Sequence, residues 1–184
     1  MTIQTDNKFR TIAKRYTKAL LDIAGDDFGL VDLFYAELKD VVNIFKSSEE
    51  LTKFLNSPAI SVDEKKSALT ELFKEKINSN LFNFLCILAE EGRIEILPTV
   101  LTTFEEAKDE KEHTARVTII SAVELYDDEK NRLNEKLERK FSKKIIANYE
   151  IKQEILAGLI VQYGNTVIDF SLATKFKNMK KTLI

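Results

Sequence analysis

Apolar residues recur every three to four positions along most of the first 110 residues, a spacing that predicts a succession of amphipathic helices. Phe9, Ile12, Ala13, Tyr16, Leu20 and Ile23 form one stripe, which stops at Gly25, a residue suited to ending a helix. Leu30, Phe34, Leu38, Val41, Val42 and Phe45 form a second, running out near Ser47 and Ser48. A short third segment, Glu49–Leu55, ends before "NSPAIS", where Pro58 breaks the helix. Ser61 and Glu64 then stand at capping-box spacing, and Ala68, Leu69, Leu72 and Phe73 supply the buried face of a fourth helix. The fifth segment, "NLFNFLCILAEEGR", is apolar on nearly every side through Leu81, Phe82, Phe84, Leu85, Ile87 and Leu88, with Gly92 placed to cap it. The sixth carries Ile94, Leu97, Val100, Leu101 and Phe104, and it accommodates Pro98 only within its first turn.

Six helices with short connections make an antiparallel bundle. A helix that is apolar all round has to be covered all round. The fifth helix is therefore either the central element or has one side that needs a partner. On the first helix Ala19 sits beside Tyr16 and Leu20, small enough to let another helix approach closely. A shallow groove between the first and fifth helices, taking an amphipathic helix from another protein, follows as a physical expectation.

From Thr114 the period changes. "ARVTIISA" is rich in β-branched residues and reads as a strand. "DDEKNRLNEKLERKF" returns to helix, with Asp127 or Asp128 as cap and Leu133, Leu137 and Phe141 along one face. "IIANYEI" (145–151) alternates again. Strands 155–163 and 166–169 are expected next, joined at Gly164–Asn165, with Gly158 marking a bulge or a close packing contact. Ser171 then caps a last helix striped by Leu172, Phe176, Met179 and Leu183. The fold class is mostly α with a small α+β part: a bundle over residues 1–108 and an α+β domain over residues 114–184. The polar "AKDEKEH" between them is a domain boundary or the solvated end of the sixth helix.

Composition narrows the chemistry. Two prolines, five glycines and no tryptophan suit a helix-dominated globular chain that is 44% hydrophobic and 32% charged. A net charge of −2 argues against nucleic acid as the main partner. The charge is uneven: residues 1–113 carry 15 Lys/Arg and 21 Asp/Glu, whereas residues 114–184 carry 13 and 9. That asymmetry fits two surfaces with different partners, or two ordinary solvated faces. The single cysteine, Cys86, excludes an internal disulfide and reads as a buried inert thiol. The single His113 lies in polar "DEKEHTAR" and reads as a linker residue rather than a ligand or base. The longest apolar run falls far short of the roughly 20 residues that span a bilayer, so no direct membrane insertion is expected. No signal or transit peptide is apparent at the N-terminus, which favours a bacterial, cytoplasmic setting.

No catalytic constellation is present in the sequence: there is no phosphate-binding glycine loop, no dinucleotide fingerprint, and no histidine placed to serve a nucleophile. The carboxylate pairs Glu90–Glu91, Glu105–Glu106 and Asp127–Asp128 are adjacent in sequence, so on a helix they diverge instead of meeting at one atom. No catalytic residue, metal ligand or cofactor is assigned, and the chain reads as a binding or structural protein.

Five stretches carry a resemblance. "AKRYTKALLDIA" (13–24), "ELTKFLNSPAIS" (50–61), "NFLCILAEEGRIEILPTVLTTFEE" (83–106), "ARVTIISAVEL" (115–125) and "ILAGLIVQYGNTVIDFSLATKF" (155–176) resemble, in order, landmarks of the ATP synthase delta subunit family. The mitochondrial relative in that family is the oligomycin-sensitivity-conferring protein. Ala157, where the family commonly has glycine, and Ile120, where it more often has a small or polar residue, are mild departures. The resemblance implies a stator protein that resists rotor torque during proton-driven ATP synthesis, with no catalytic role of its own. Its bundle would bind the N-terminal helix of an ATP synthase alpha subunit in the groove between helices one and five. Its C-terminal part would bind the C-terminal region of the b-subunit stalk, peripherally on the cytoplasmic face of the bacterial membrane. Carried onto this chain, the groove residues are Tyr16, Ala19, Leu20, Ile23, Phe84, Ile87 and Leu88. The alternative is a helical adaptor or regulatory module unrelated to ATP synthase.

Overall fold

The computed structural model describes residues 3–164, 166–172 and 174. The chain divides into two compact units between Lys108 and Asp109.

The first unit is helical: α1 (Ile3–Ala24), α2 (Phe28–Ser47), α3 (Glu49–Asn56), α4 (Val62–Phe73), α5 (Ser79–Glu90) and α6 (Leu97–Lys111), with a 3-10 turn at Ile94–Ile96 before α6. Local chemistry sets most of the breaks. Gly25 and Gly92 take φ of 56° and 61°, conformations that cost a residue with a Cβ about 1–2 kcal/mol. The amide of Leu30 donates to Asp27 at the start of α2, and that of Leu51 donates to Ser48 at the start of α3. Ser61 and Glu64 form the reciprocal capping box: the Glu64 amide donates to Ser61 Oγ at 3.3 Å, and the Ser61 amide to Glu64 Oε2 at 2.9 Å. Pro98 is the second residue of α6, where its missing N–H costs the helix nothing.

Each helix presents its apolar stripe to one core built on Phe34, Leu38, Leu55, Leu69, Leu85 and Phe104, all with no exposed surface. The threonines and lysines buried in it are paired. Thr17 and Thr103 share a hydroxyl hydrogen bond of 2.7 Å between α1 and α6. Lys65, 5% exposed, turns its ammonium to the Ala89 carbonyl at the end of α5, 3.4 Å away. Along α1, Ala13, Thr17, Leu20 and Ala24 face inward. Phe9, Ile12, Tyr16, Ala19 and Ile23 follow at the same three-and-four spacing and lie beside that face.

The second unit holds β1 (Thr114–Ser121), α7 (Asp127–Phe141), β2 (Lys144–Ile151), β3 (Leu159–Tyr163) and β4 (Thr166–Asp169), in a sheet of order β2-β1-β3-β4. β1 and β2 are parallel, a pairing that requires a crossover, which α7 supplies. The β1–β3 and β3–β4 pairs are antiparallel. Leu133, Leu137 and Phe141 of α7 pack on Val117, Ile119, Ile145 and Val161 of the sheet. The Tyr149 hydroxyl donates to Asn134 Oδ1 at 2.9 Å and fixes α7 over the strands.

Three expectations need adjustment. α7 is preceded by Tyr126, whose amide donates to Glu129 Oε2 at 2.9 Å, while Asp127 and Asp128 lie in the first turn and favour the helix dipole from there. The strand expected from residue 155 begins at Leu159, because Gln153–Ile155 is a 3-10 turn and Leu156 has φ of 64°. Cys86 is half-buried rather than enclosed, and burial still pushes its thiol pKa up. Asn165 and Phe176, Met179 and Leu183 lie outside the described residues. Ser171 Oγ accepts the Thr174 amide at 3.3 Å, as a helix cap does.

Candidate functional site

α1 and α5 are in contact, and an aromatic pair marks the place. The Tyr16 and Phe84 rings meet edge to face, with centroids 5.6 Å apart and planes at 65°. The ring of Tyr16 is thus half-buried against α5 while its hydroxyl reaches solvent and accepts a hydrogen bond from Arg93 at 3.4 Å.

The seven residues singled out from sequence separate by burial. Leu20, Phe84 and Leu88 are 2%, 6% and 0% exposed, and their side chains belong to the unit's own core. They shape the floor of this surface but offer almost nothing to a second molecule. The physical reason is position: Leu20 shares its helix face with Ala13, Thr17 and Ala24, and Leu88 shares its face with Leu81 and Leu85. Ala19, Ile23 and Ile87 are exposed, the two isoleucines by 51% and 50%, and Tyr16 lies between the two groups. An isoleucine half open to water on each of two touching helices leaves apolar area that the unit does not itself cover.

α5 accordingly is not covered all round. Leu81, Phe84, Leu85, Leu88 and Ala89 face in, Phe82 and Cys86 are half-buried, and Asn83 and Ile87 remain open. The rim is polar. Glu90 holds Lys66 of α4 at 2.5 Å, and Arg93 holds Glu91 at 3.4 Å as well as Tyr16. Arg93 is the residue that the sequence reasoning passed over. It follows the helix cap at Gly92, and no periodicity argument reaches it there. Phe9, 38% exposed, extends the α1 stripe by two turns from Tyr16.

Among the described residues no group of three His, Cys, Asp or Glu side chains could hold a metal ion. Among the same residues no helix is long and apolar enough to cross a membrane. His113 occupies the turn between α6 and β1 with φ of 50°, a conformation that histidine tolerates better than most residues.

Comparison with known proteins gives these surfaces a setting. Residues 12–183 match the family model described as the ATP synthase delta (OSCP) subunit. The ATP synthase subunit delta of Clostridium botulinum (strain Kyoto / Type A2) is 36% identical over 176 residues, covering 96% of this chain and 98% of its own. That of Clostridium kluyveri is 35% identical, covering 96% and 97%. A chain of the Toxoplasma gondii mitochondrial ATP synthase hexamer shares the fold, with a TM-score of 0.62 at 22% identity over 93% of this chain and 96% of that one. The chain belongs to the ATP synthase delta (OSCP) family. It is a peripheral-stalk subunit of an F-type ATP synthase, a non-catalytic part of a membrane-associated complex, and not an adaptor unrelated to that machine.

Proposed function

We propose that the first unit acts as a six-helix bundle whose α1–α5 surface receives the N-terminal helix of the ATP synthase alpha subunit, and that the second unit binds the C-terminal region of the b-subunit stalk. The link holds the catalytic head still against the rotor, on the cytoplasmic face of the membrane. The observation that carries the reading is the pair Ile23 and Ile87, each half open to water on touching helices with Tyr16 between core and surface. An amphipathic helix laid along such a surface covers the exposed apolar area with its own stripe.

The mechanism is mechanical. Torque is resisted by affinity and stiffness, and a nanomolar complex corresponds to about −12 kcal/mol of binding free energy. Stiffness comes from the floor: the Tyr16–Phe84 ring contact and the Thr17–Thr103 hydrogen bond hold α1 to α5 and α6, so load on a bound helix passes into the core.

Calorimetric titration of the full chain with a synthetic peptide of the alpha N-terminal helix tests this. Ile87→Asp removes the apolar contact and places a carboxylate where the peptide must exclude water. Half of an isoleucine's burial energy plus the desolvation cost amounts to about 2–4 kcal/mol, a loss of roughly 30-fold to 1,000-fold. Tyr16→Asp acts on the same surface from α1. Unchanged affinity in both variants, with helicity intact by circular dichroism, would place the peptide elsewhere.

A further inference from the structure

The sheet of the second unit has two unlike edges. β4 is an edge of only four residues, whereas β2 runs for eight without proline or glycine. Lys144 N–H donates to the His113 carbonyl and Lys152 N–H to the Ser121 carbonyl, so the even-numbered residues of β2 turn their backbone groups to β1. Ile145, Ala147, Tyr149 and Ile151 turn theirs outward, where β2 has no neighbouring strand among the described residues. One outward amide is taken: Ile145 N–H donates to Glu138 Oε1 of α7 at 3.3 Å. The rest form an open edge of the kind that accepts another strand. α7 lies inward of it, with the Phe141 ring centroid 4.9 Å from that of Tyr163, two strands in from the edge.

The charges of β2 match themselves. In an antiparallel pair, directly opposite residues point to the same face of the sheet. For β2 paired with a second β2, the twofold axis must then pass through a residue. Centred on Ala147, Lys144 stands opposite Glu150, Ile145 opposite Tyr149 and Ile146 opposite Asn148. Symmetry makes the Lys144–Glu150 pair occur twice. Moving the centre to Asn148 sets Lys144 against Lys152, and moving it to Ile146 sets Glu150 against Ser142, before the strand begins. Lys144 is exposed and makes no ion pair with another described residue. Glu150 meets Lys152 at 3.3 Å, with both side chains about half open to water.

We propose that the free chain self-associates through β2, two copies pairing antiparallel about a twofold axis at Ala147 to make one continuous sheet. Ala147 exchanges two hydrogen bonds with Ala147 of the second copy. Each Tyr149 N–H donates to the Ile145 carbonyl opposite, an arrangement that leaves Glu138 on the Ile145 amide. The exposed Ile146 gains cover, and an edge open to irregular pairing is closed. The contact is narrow, so the dimer is weak and depends on concentration. The proposal concerns the second unit and is independent of the α1–α5 surface.

Sedimentation equilibrium of the full chain, at concentrations up to about 1 mM, tests it. The parent should show a monomer–dimer equilibrium. Lys144→Glu and Glu150→Lys should each weaken it about tenfold, since each turns two cross-strand attractions into two repulsions. The double variant Lys144→Glu/Glu150→Lys exchanges the charges and should return to within about threefold of the parent. Damage to the fold would add up in the double variant, whereas a cross-strand pair is restored. A parent that stays monomeric at every concentration would overturn the proposal. So would a dimer whose affinity ignores both single variants, or one that the exchanged pair fails to restore.

Discussion

Gly158 is the position where one added methyl group should cost the most. Its φ is 94°, and an added Cβ would lie 2.4 Å from the Phe170 carbonyl oxygen and 3.1 Å from both the Phe170 carbonyl carbon and Ser171 Cα. All three neighbours are backbone, so no side chain can swing aside. Relief requires the Leu156–Gly158 segment to part from Phe170–Leu172. The two strands of chain are tied there by Leu172 N–H to Ala157 O and Phe170 N–H to Leu159 O, both 2.9 Å. Losing both hydrogen bonds at about 1 kcal/mol each, with about 1 kcal/mol for the left-handed backbone, makes Gly158→Ala destabilising by roughly 3 kcal/mol locally. Gly25→Ala is the matched control: its φ is 56° and nothing lies within 4 Å of the added Cβ, so only the backbone term applies, about 1 kcal/mol. Hydrogen exchange reads both. In Gly158→Ala the amides of Phe170 and Leu172 should exchange about 100-fold faster, the equivalent of about 2.7 kcal/mol. Protection within twofold of the parent would show that the contact is not as tight as the backbone places it.

The α4 cap predicts an acid-sensitive helix start. Glu64 accepts from the Ser61 hydroxyl at 2.7 Å and from the Ser61 amide, and these bonds hold its carboxyl pKa below the ordinary value. A lowered folded value means the stabilisation is complete above the unfolded pKa and drains away as pH falls through the folded one. Carboxyl chemical shifts should therefore place the Glu64 midpoint below that of an exposed glutamate, and Ser61→Ala should bring it back up. Lys65 makes a second prediction. Its ammonium is buried beside the Ala89 carbonyl, so Lys65→Glu should cost about 3 kcal/mol in urea unfolding, whereas Lys65→Met should stay within about 1 kcal/mol of the parent. Equal midpoints for the two variants would contradict that assignment.

The helical breaks were legible because each has a local chemical signature: Gly25, the Ser61–Glu64 box, Gly92 and Pro98 act within a few residues of themselves. The four strands were legible in kind through their β-branched residues. Their order was not. The parallel pairing of β1 with β2 and the central place of β1 depend on contacts across more than 25 residues, to which no local pattern refers. The late start of β3 was missed for a different reason. "ILAGLIV" is apolar or small throughout, but Leu156 at φ 64° and Gly158 at φ 94° keep its first half out of extended backbone. On the surface, periodicity marked the apolar stripes of α1 and α5 and mixed two of their faces. Leu20 and Ile23 are both apolar and one turn apart, yet one is sealed in the core and the other half open. Which side of a stripe is covered depends on the neighbouring helices, and the sequence of α1 alone does not contain them.

The seat of the alpha-subunit helix is open to one direct measurement. The full chain is labelled at the isoleucine δ-methyl groups and titrated with the alpha N-terminal peptide. The methyl signals of Ile23 and Ile87 should move together and saturate together, while those of Ile145 and Ile151 in the second unit stay in place. Saturable shifts confined to the second unit, with Ile23 and Ile87 unmoved, would contradict the assignment of α1 and α5 as the receiving surface.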